Sequence, residues 1–260
     1  MQQHNVFYNL WFCTAVCVVS AVCVSVTAVM LKERQEVNAA QDKMKNVLVA
    51  AGLAESGEPL TKDEIDSRFA PIQQVVVNLE TGQETDIDPE GFDQQKAAAD
   101  PTTSKVAPPN TAKVRRLPNE ALVYRLEDEG GALEMLILPI EGKGLWSTLY
   151  GFLSLDADMN TIKGITFYKH GETPGLGGEV DNPNWKALWN ERKAFGTGGD
   201  PEIEVIKGRA GPASDDPHRV DGLSGATLTS KGVSYLVQFW LGDNGFGPYI
   251  KQVQQGQEVD

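Results

Sequence analysis

Cysteine is almost missing from this chain: Cys13, Cys17 and Cys23 all sit near the N-terminus, and none follows. Beyond that point there can be no disulfide framework and no thiolate metal site, which fits an exported domain built without disulfides. The three that exist lie in a valine-rich run, where cysteine serves as a small apolar residue. Positive charge is also scarce. Lys and Arg total 23 against 36 Asp and Glu, leaving a net charge of −13 and an isoelectric point near 4.7. Nucleic acid as a partner is excluded, because its phosphates demand a basic surface. Adhesion of the acidic part to an anionic membrane surface is disfavoured for the same reason. No strand followed by a glycine-rich turn and helix forms a dinucleotide fingerprint, so no NADH site is visible.

Charge of either sign is absent from Leu10 to Leu31, a run closed by Lys32, Glu33 and Arg34. At about 1.5 Å per residue the run covers roughly 33 Å, enough to cross a hydrocarbon core of about 30 Å. A cleaved signal peptide is the alternative, with Val26-Thr27-Ala28 as its cleavage site. The run is too long for a signal core and no Lys or Arg precedes it, so an uncleaved anchor in the lipid bilayer is expected. Phe7, Tyr8 and Trp11 would sit at one interface as an aromatic belt. Nothing charged in the span can carry an ion.

After the anchor, Val37, Ala40, Met44, Val47 and Leu48 recur at helical spacing, predicting a helix over Glu36–Ala51 that stops at Gly52. Thr61-Lys62-Asp63-Glu64 has capping-box spacing and predicts a short helix to Phe69. Val75-Val76-Val77 reads as a strand. From Gln83 to Asn110 the chain turns polar and proline-punctuated, and no regular structure is assigned there. Strands are expected at Ala121–Glu127, Leu133–Ile140, Thr148–Leu155, Thr161–Lys169 and Glu202–Lys207, with Asp128–Gly131 and Asp156–Asn160 as hairpin connections. Asn182-Pro183-Asn184 should cap a helix carrying Trp185, Leu188 and Trp189. The sum is an α+β fold, an antiparallel sheet with helices on one side.

Three stretches carry chemistry. Asp221-Gly222-Leu223-Ser224-Gly225-Ala226-Thr227-Leu228-Thr229-Ser230 places hydroxyls and glycines at the start of an apolar helical segment, Val233, Leu236, Val237, Trp240 and Leu241. Free amides and the helix dipole there favour a phosphate. The simpler reading is a cap, with Thr229 or Ser230 bonding the first-turn amides. Gly142-Lys143-Gly144-Leu145-Trp146-Ser147 joins a flexible approach to an indole that either packs on a planar ligand or belongs to the core. Gly171-Glu172-Thr173-Pro174-Gly175-Leu176-Gly177-Gly178 is glycine-rich enough for backbone to approach a ligand closely, or is a mobile surface loop. Lys207 can meet a phosphate or simply be solvated. Asp221 is expected to organise its own loop through backbone hydrogen bonds.

Asp221-Gly222-Leu223-Ser224-Gly225-Ala226-Thr227, Gly144-Leu145-Trp146 and His170–Gly177 occur in the order seen in the NqrC family of Na⁺-translocating NADH:quinone reductases, which the whole chain resembles. The resemblance implies an antiparallel-sheet FMN-binding domain with flanking helices behind a single N-terminal transmembrane helix. It implies FMN bound covalently, as a phosphoester on Thr227, with Ser224, Gly225, Ala226, Leu228 and Thr229 around the phosphate. Leu145, Trp146, Glu172, Thr173, Gly175, Leu176 and Gly177 would meet the flavin, joined by Lys207 and Asp221, while His170 would be structural. From the residues alone, Thr227 and Thr229 cannot be told apart. No catalytic residue and no metal ligand is expected. A Mg²⁺-dependent FAD:protein FMN transferase would make the bond, because a threonine hydroxyl without a base is a poor nucleophile. The chain would relay electrons within a complex that couples NADH oxidation to Na⁺ export, with the NADH and Na⁺ sites on its other subunits.

The implied organisation is a tail at 1–9, the transmembrane helix at 10–31, a helical and strand segment packing on the soluble domain at 32–82, a polar insertion at 83–110 and the FMN-binding domain at 111–260. Sidedness sets two signals against each other. Lys32, Arg34, Lys43 and Lys45 follow the anchor and none precedes it, which by charge alone places the domain in the cytoplasm. The resemblance implies the periplasmic face of a bacterial inner membrane, and that is the expectation adopted. Two other functions stay open. One is the anchored flavin protein of the related ferredoxin:NAD⁺ oxidoreductase complex. The other is an anchored binding module without cofactor, in which Thr227 merely caps a helix.

Overall fold

A computed structural model describes residues 6–128 and 130–257. Met1–Asn5 of the expected tail, Glu129 of the expected hairpin and the last three residues lie outside them. The chain divides into two units, Met1–Lys43 and Met44–Asp260.

One helix, α1 (Val6–Ala50), runs through the apolar segment without a break. It is long and apolar enough to cross a membrane, with a mean hydropathy of 2.4 over its best window. The separate helix expected from Glu36 is therefore a continuation of the anchor. Lys32, Glu33, Arg34 and Gln35 are strong helix formers that give no stop signal. Tyr8 and Phe12 stack one turn apart near its start. The stop comes at Gly52, in the left-handed conformation at φ 71°. Then α2 (Lys62–Phe69) opens with the full capping box: the Thr61 hydroxyl accepts from the Glu64 amide while the Glu64 carboxylate accepts from the Thr61 amide.

In chain order there follow β1 (Ile72–Asn78), α3 (Gln94–Ala99), β2 (Ser104–Val106), β3 (Arg116–Pro118), β4 (Glu120–Glu127), β5 (Leu133–Lys143), β6 (Thr148–Asp156) and β7 (Ile162–Lys169). The chain ends through α4 (Pro183–Ala187), β8 (Glu204–Val205), β9 (Arg219–Val220), α5 (Thr227–Leu241) and α6 (Gly247–Gln257). The main sheet is antiparallel throughout, in the order β1-β4-β5-β6-β7.

Both faces of this sheet are covered, which corrects the expectation of helices on one side only. Period-two alternation sends Leu136, Leu138 and Leu153 into a cluster with Leu236, Val237 and Trp240 of α5. Their neighbours Ile137 and Phe152 point the other way, onto Leu48, Ile65 and Phe69. A sheet buried on both faces reads as continuous apolar runs, so periodicity could not say how many faces carry helices.

Three further readings change. The polar stretch after Gln83 does contain regular structure: Asp93 caps α3 by accepting from the amides of Gln95 and Lys96, and β2 pairs with β3. Side-chain polar bonds rather than an apolar stripe hold these pieces, which is why composition hid them. The strand expected at Glu202–Lys207 shrinks to two residues, paired in parallel with β9. Asn182 does cap α4, with Pro183 in its first turn, but the helix ends at Ala187 and Trp189 lies beyond it, fully buried.

Glycines set the seat of α5. A Cβ on Gly232 would stand 2.3 Å from the Lys143 carbonyl oxygen, and one on Gly142 would stand 2.4 Å from Leu236 Cβ. The Trp240 indole N–H donates to the Glu141 carbonyl at 2.7 Å, fixing the axial position of the helix on β5. Gly232→Ala is expected to cost about 1–3 kcal/mol through overpacking against backbone. The same change at Gly256, whose Cβ position is open, should be neutral or mildly stabilising. Urea unfolding of the two variants side by side checks this, and equal effects would refute the close-approach argument.

Candidate functional site

Three loops meet at the N-terminus of α5: residues 144–147 between β5 and β6, residues 170–178 after β7, and residues 221–226 before the helix. One buried carboxylate fastens the first two of them to the helix. Glu172 is 5% exposed. Its Oε1 accepts from the amides of Trp146 and Ser147, both at 3.0 Å, and from the Ser147 hydroxyl at 3.1 Å. Its Oε2 accepts from the Leu145 amide at 3.2 Å and the Thr229 hydroxyl at 2.7 Å. Desolvation works against charge at this site. Bonds from the Thr229 hydroxyl and the amides of Trp146, Ser147 and Leu145 outweigh it and hold the carboxyl below its ordinary value.

The space around this carboxylate is closed by glycine. Cβ atoms on Gly144 and Gly177 would come within 2.7 and 2.8 Å of Glu172 oxygens, and the one on Gly177 within 2.6 Å of Thr229 Oγ1. His170 is a brace, as expected: its Nδ1 accepts from the Glu172 amide, which leaves the Nε2 proton to donate to Asp181 at 2.8 Å. Ser147, absent from the expected set, links two loops, because its hydroxyl also accepts from the Gly171 amide at 2.7 Å. Its role was hidden in the sequence: a serine after tryptophan at a strand start carries no distinctive signal.

The hydroxyls at the helix start divide sharply. Thr229 is fully buried and committed to Glu172, and the Ser230 hydroxyl accepts from the Leu223 amide at 3.1 Å. Neither bonds the first-turn amides, so the capping reading fails. The residue at the cap is Ala226, which has no side-chain acceptor. First-turn amides of a helix so capped remain available to an anion. Thr227 and Ser224 are exposed beside them.

Around Thr227 the surface is apolar to an unusual degree. Trp146 is 70% exposed, and Leu145, Leu176 and Leu228 are each 44–59% exposed. Trp146 is therefore not core. Leu176 closes on Gly225, whose left-handed φ of 69° favours glycine. Thr173 accepts through its carbonyl from the amides of Leu176 and Gly178, curling the loop with Gly175 at its exposed turn.

Two expected residues act differently. Asp221 does not organise its own loop: its Oδ1 accepts from the Ala210 amide at 2.8 Å, and its carbonyl accepts from the Trp185 indole at 2.8 Å. It ties the loop instead to the preceding segment, where the Gly222 amide donates to the Gly208 carbonyl. Lys207 is exposed at this crossing, and no contact joins its ammonium to the other site residues among those described.

Exposed apolar side chains, a helix N-terminus without a side-chain cap and an accessible hydroxyl are what a phosphorylated planar cofactor needs. A family model described as an FMN-binding domain matches residues 144–242, a range holding every site residue expected above. The C subunit of the Na⁺-translocating NADH-quinone reductase of Pseudomonas aeruginosa is 45% identical, with 98% of each chain covered. The corresponding protein of Yersinia pestis is 44% identical over 92% of this chain and 90% of its own length. The chain belongs to the NqrC family. The crystal structure of NqrC from Shewanella oneidensis superposes with a TM-score of 0.75 at 36% identity, covering 83% of this chain and 98% of that one. That of the Parabacteroides distasonis member gives 0.64 at 28% identity, covering 85% and 96%.

Replacing Glu172 by Gln puts an NH₂ group among donors and leaves amides unmatched, at an expected cost of about 1–3 kcal/mol. The sign of its pH dependence follows from a folded-state pKa below the ordinary 4.5. Wild type should exceed Glu172→Gln in stability by a constant margin above pH 4.5, and the margin should shrink as pH falls through the folded-state value. Thermal melts of both proteins from neutral to acidic pH test this. A margin that grows on acidification would contradict the charged clasp.

Proposed function

We propose that Thr227 carries FMN through a phosphoester on its hydroxyl, and that this chain relays electrons as the membrane-anchored flavoprotein of a Na⁺-translocating NADH:quinone reductase. One observation carries the attachment: of the two threonines two residues apart, Thr227 is exposed at the helix start while Thr229 is buried and bonded to Glu172. Family membership and the FMN-binding match support the redox role. FMN, when bound, supplies reversible transfer of single electrons.

In this reading the first-turn amides of α5 meet the phosphate, with Ser224, Gly225, Ala226, Leu228 and Thr229 shaping the loop. Lys207 adds charge nearby. Leu145, Trp146, Leu176 and Leu228 give the ring an apolar surface, while Thr173, Gly175 and Gly177 bring backbone close. Glu172 and Asp221 act by positioning. A Mg²⁺-dependent FAD:protein FMN transferase is the partner that makes the ester: Thr227 Oγ replaces the AMP oxygen on phosphorus, AMP departs, and a base on the transferase takes the hydroxyl proton. The remaining subunits of the complex supply the NADH and Na⁺ sites. Residues 10–31 span the inner membrane, and 111–260 form the flavin domain on the periplasmic side. A covalent tether suits that side, where lost cofactor is not replaced.

Full-length chain co-produced with the transferase should give a yellow, UV-fluorescent band that survives denaturing electrophoresis. The peptide Asp221–Lys231 should gain the mass of an FMN phosphoryl group. Thr227→Leu is expected to abolish the fluorescence, whereas Thr229→Val, which loosens the clasp without removing the acceptor hydroxyl, should only reduce it. Full fluorescence in Thr227→Leu would overturn the assignment, and a colourless native protein would leave only an anchored acidic module.

A further inference from the structure

Beside the Leu145–Trp146 loop lies a second feature that the flavin does not account for. A cleft of about 540 Å³ runs between residues 107–115 and the end of β5, with Lys113, Arg115 and Lys143 on its walls and Trp146 at one end. The same three cations border a neighbouring hollow of about 350 Å³ that continues to Arg116, Glu141 and Tyr150.

Several cations of this chain pair with carboxylates: Arg125 with Glu84 and Glu127, Lys163 with Asp156 and Glu191, and Arg219 with Glu204 and Asp216. Among the described residues, Lys113, Arg115 and Lys143 pair with none. Glu141, on the wall of the neighbouring hollow, has its carboxyl pushed up to about 7 by desolvation, which reduces the negative charge opposing an anion.

The platform is also fixed. Asn110 holds the loop from within, accepting from the Val114 amide at 3.0 Å and donating to the carbonyls of Pro108 and Val114. The Lys143 amide donates to the Ala112 carbonyl at 2.9 Å, binding the loop to β5. Lys113 is one of few non-glycine residues at positive φ, 57°. Such a conformation costs about 1 kcal/mol or more and persists where surroundings enforce it.

We propose that this cleft binds a nucleotide carrying a diphosphate, with the phosphates on Lys113, Arg115 and Lys143 and the base against Trp146. Three cations suit a multiply charged phosphate group, and the planar fork of arginine matches phosphate oxygens. The volume falls in the range of small-ligand sites, roughly 300–1,000 Å³, and concavity disfavours a flat protein partner. All three cations lie outside the FMN-binding match at 144–242, whereas Trp146 lies within it, so the phosphate-binding half of this site is separate from the threonine ester and the indole is shared with the flavin face.

The experiment uses detergent-solubilised full-length chain produced without the transferase, so that the flavin assignment does not enter. Equilibrium dialysis with labelled ADP at low ionic strength should saturate, with Kd of about 1 mM or tighter. Arg115→Glu/Lys143→Glu should weaken binding at least about tenfold. The milder Arg115→Gln/Lys143→Gln guards against misfolding and should also weaken it, whereas Lys62→Glu on α2 should not. Trp146→Ala should weaken ADP more than inorganic pyrophosphate. Running FAD beside ADP separates two sources of the diphosphate: equal affinity indicates free nucleotide, and FAD tighter by about tenfold indicates the flavin donor itself. The proposal is overturned if ADP does not saturate by about 5 mM. It is equally overturned if Lys62→Glu matches the cleft variants, or if pyrophosphate binds as tightly as ADP and Trp146→Ala changes neither.

Discussion

A single carboxylate with five donors holds together the part of this molecule that matters for chemistry. Glu172 takes hydrogen bonds from three consecutive amides of one loop, from the serine hydroxyl that also binds its own loop, and from the threonine inside α5. The loops at 144–147 and 170–178 are short and largely exposed. Tied to a buried charge, they become one surface. A buried carboxylate left unpaired would be strongly unfavourable, so the charge itself demands that the 144–147 loop and the start of α5 be in place around it.

That arrangement also explains how two neighbouring threonines come to differ. A helix turns about 100° per residue, so side chains two apart point to different sides. One side faces Glu172 and the sheet, and Thr229 is there. Thr227 is left on the other and is exposed, as are Trp146 and Leu176 on their loops and Leu228 beside it in the helix. The seat of the helix is set lower down, by Gly232 against the end of β5, so the position of the Thr227 hydroxyl depends on a contact more than a turn away.

Much of the fold could be read from the chain. The capping box at Thr61, the stop at Gly52 and the four long strands stand where pattern placed them, because each rests on local chemistry or on period-two apolarity. The misses share a different cause. The elements between Gln83 and Asn110 are held by Asp93 capping its own helix and by Gln95 and Ser104 bonding the distant Tyr168 and Arg116, and polar residues give no periodic signal. The second layer on the sheet comes from residues more than fifty positions away, which no window detects. In the site, Gly144–Trp146 and Glu172–Gly177 drew attention through composition, yet Ser147 and the outward tie of Asp221 were invisible.

Neighbours along the chain were enough to mark a helix long and apolar enough to cross a membrane, the acidity that disfavours nucleic acid, the succession of hairpins and a motif with two candidate hydroxyls. Three things had to wait for the folded chain: which hydroxyl is accessible, that Glu172 is the clasp, and that Lys113, Arg115 and Lys143 face one cleft. Burial and charge pairing are properties of what lies opposite a residue across the fold, and the order of residues does not state what that will be.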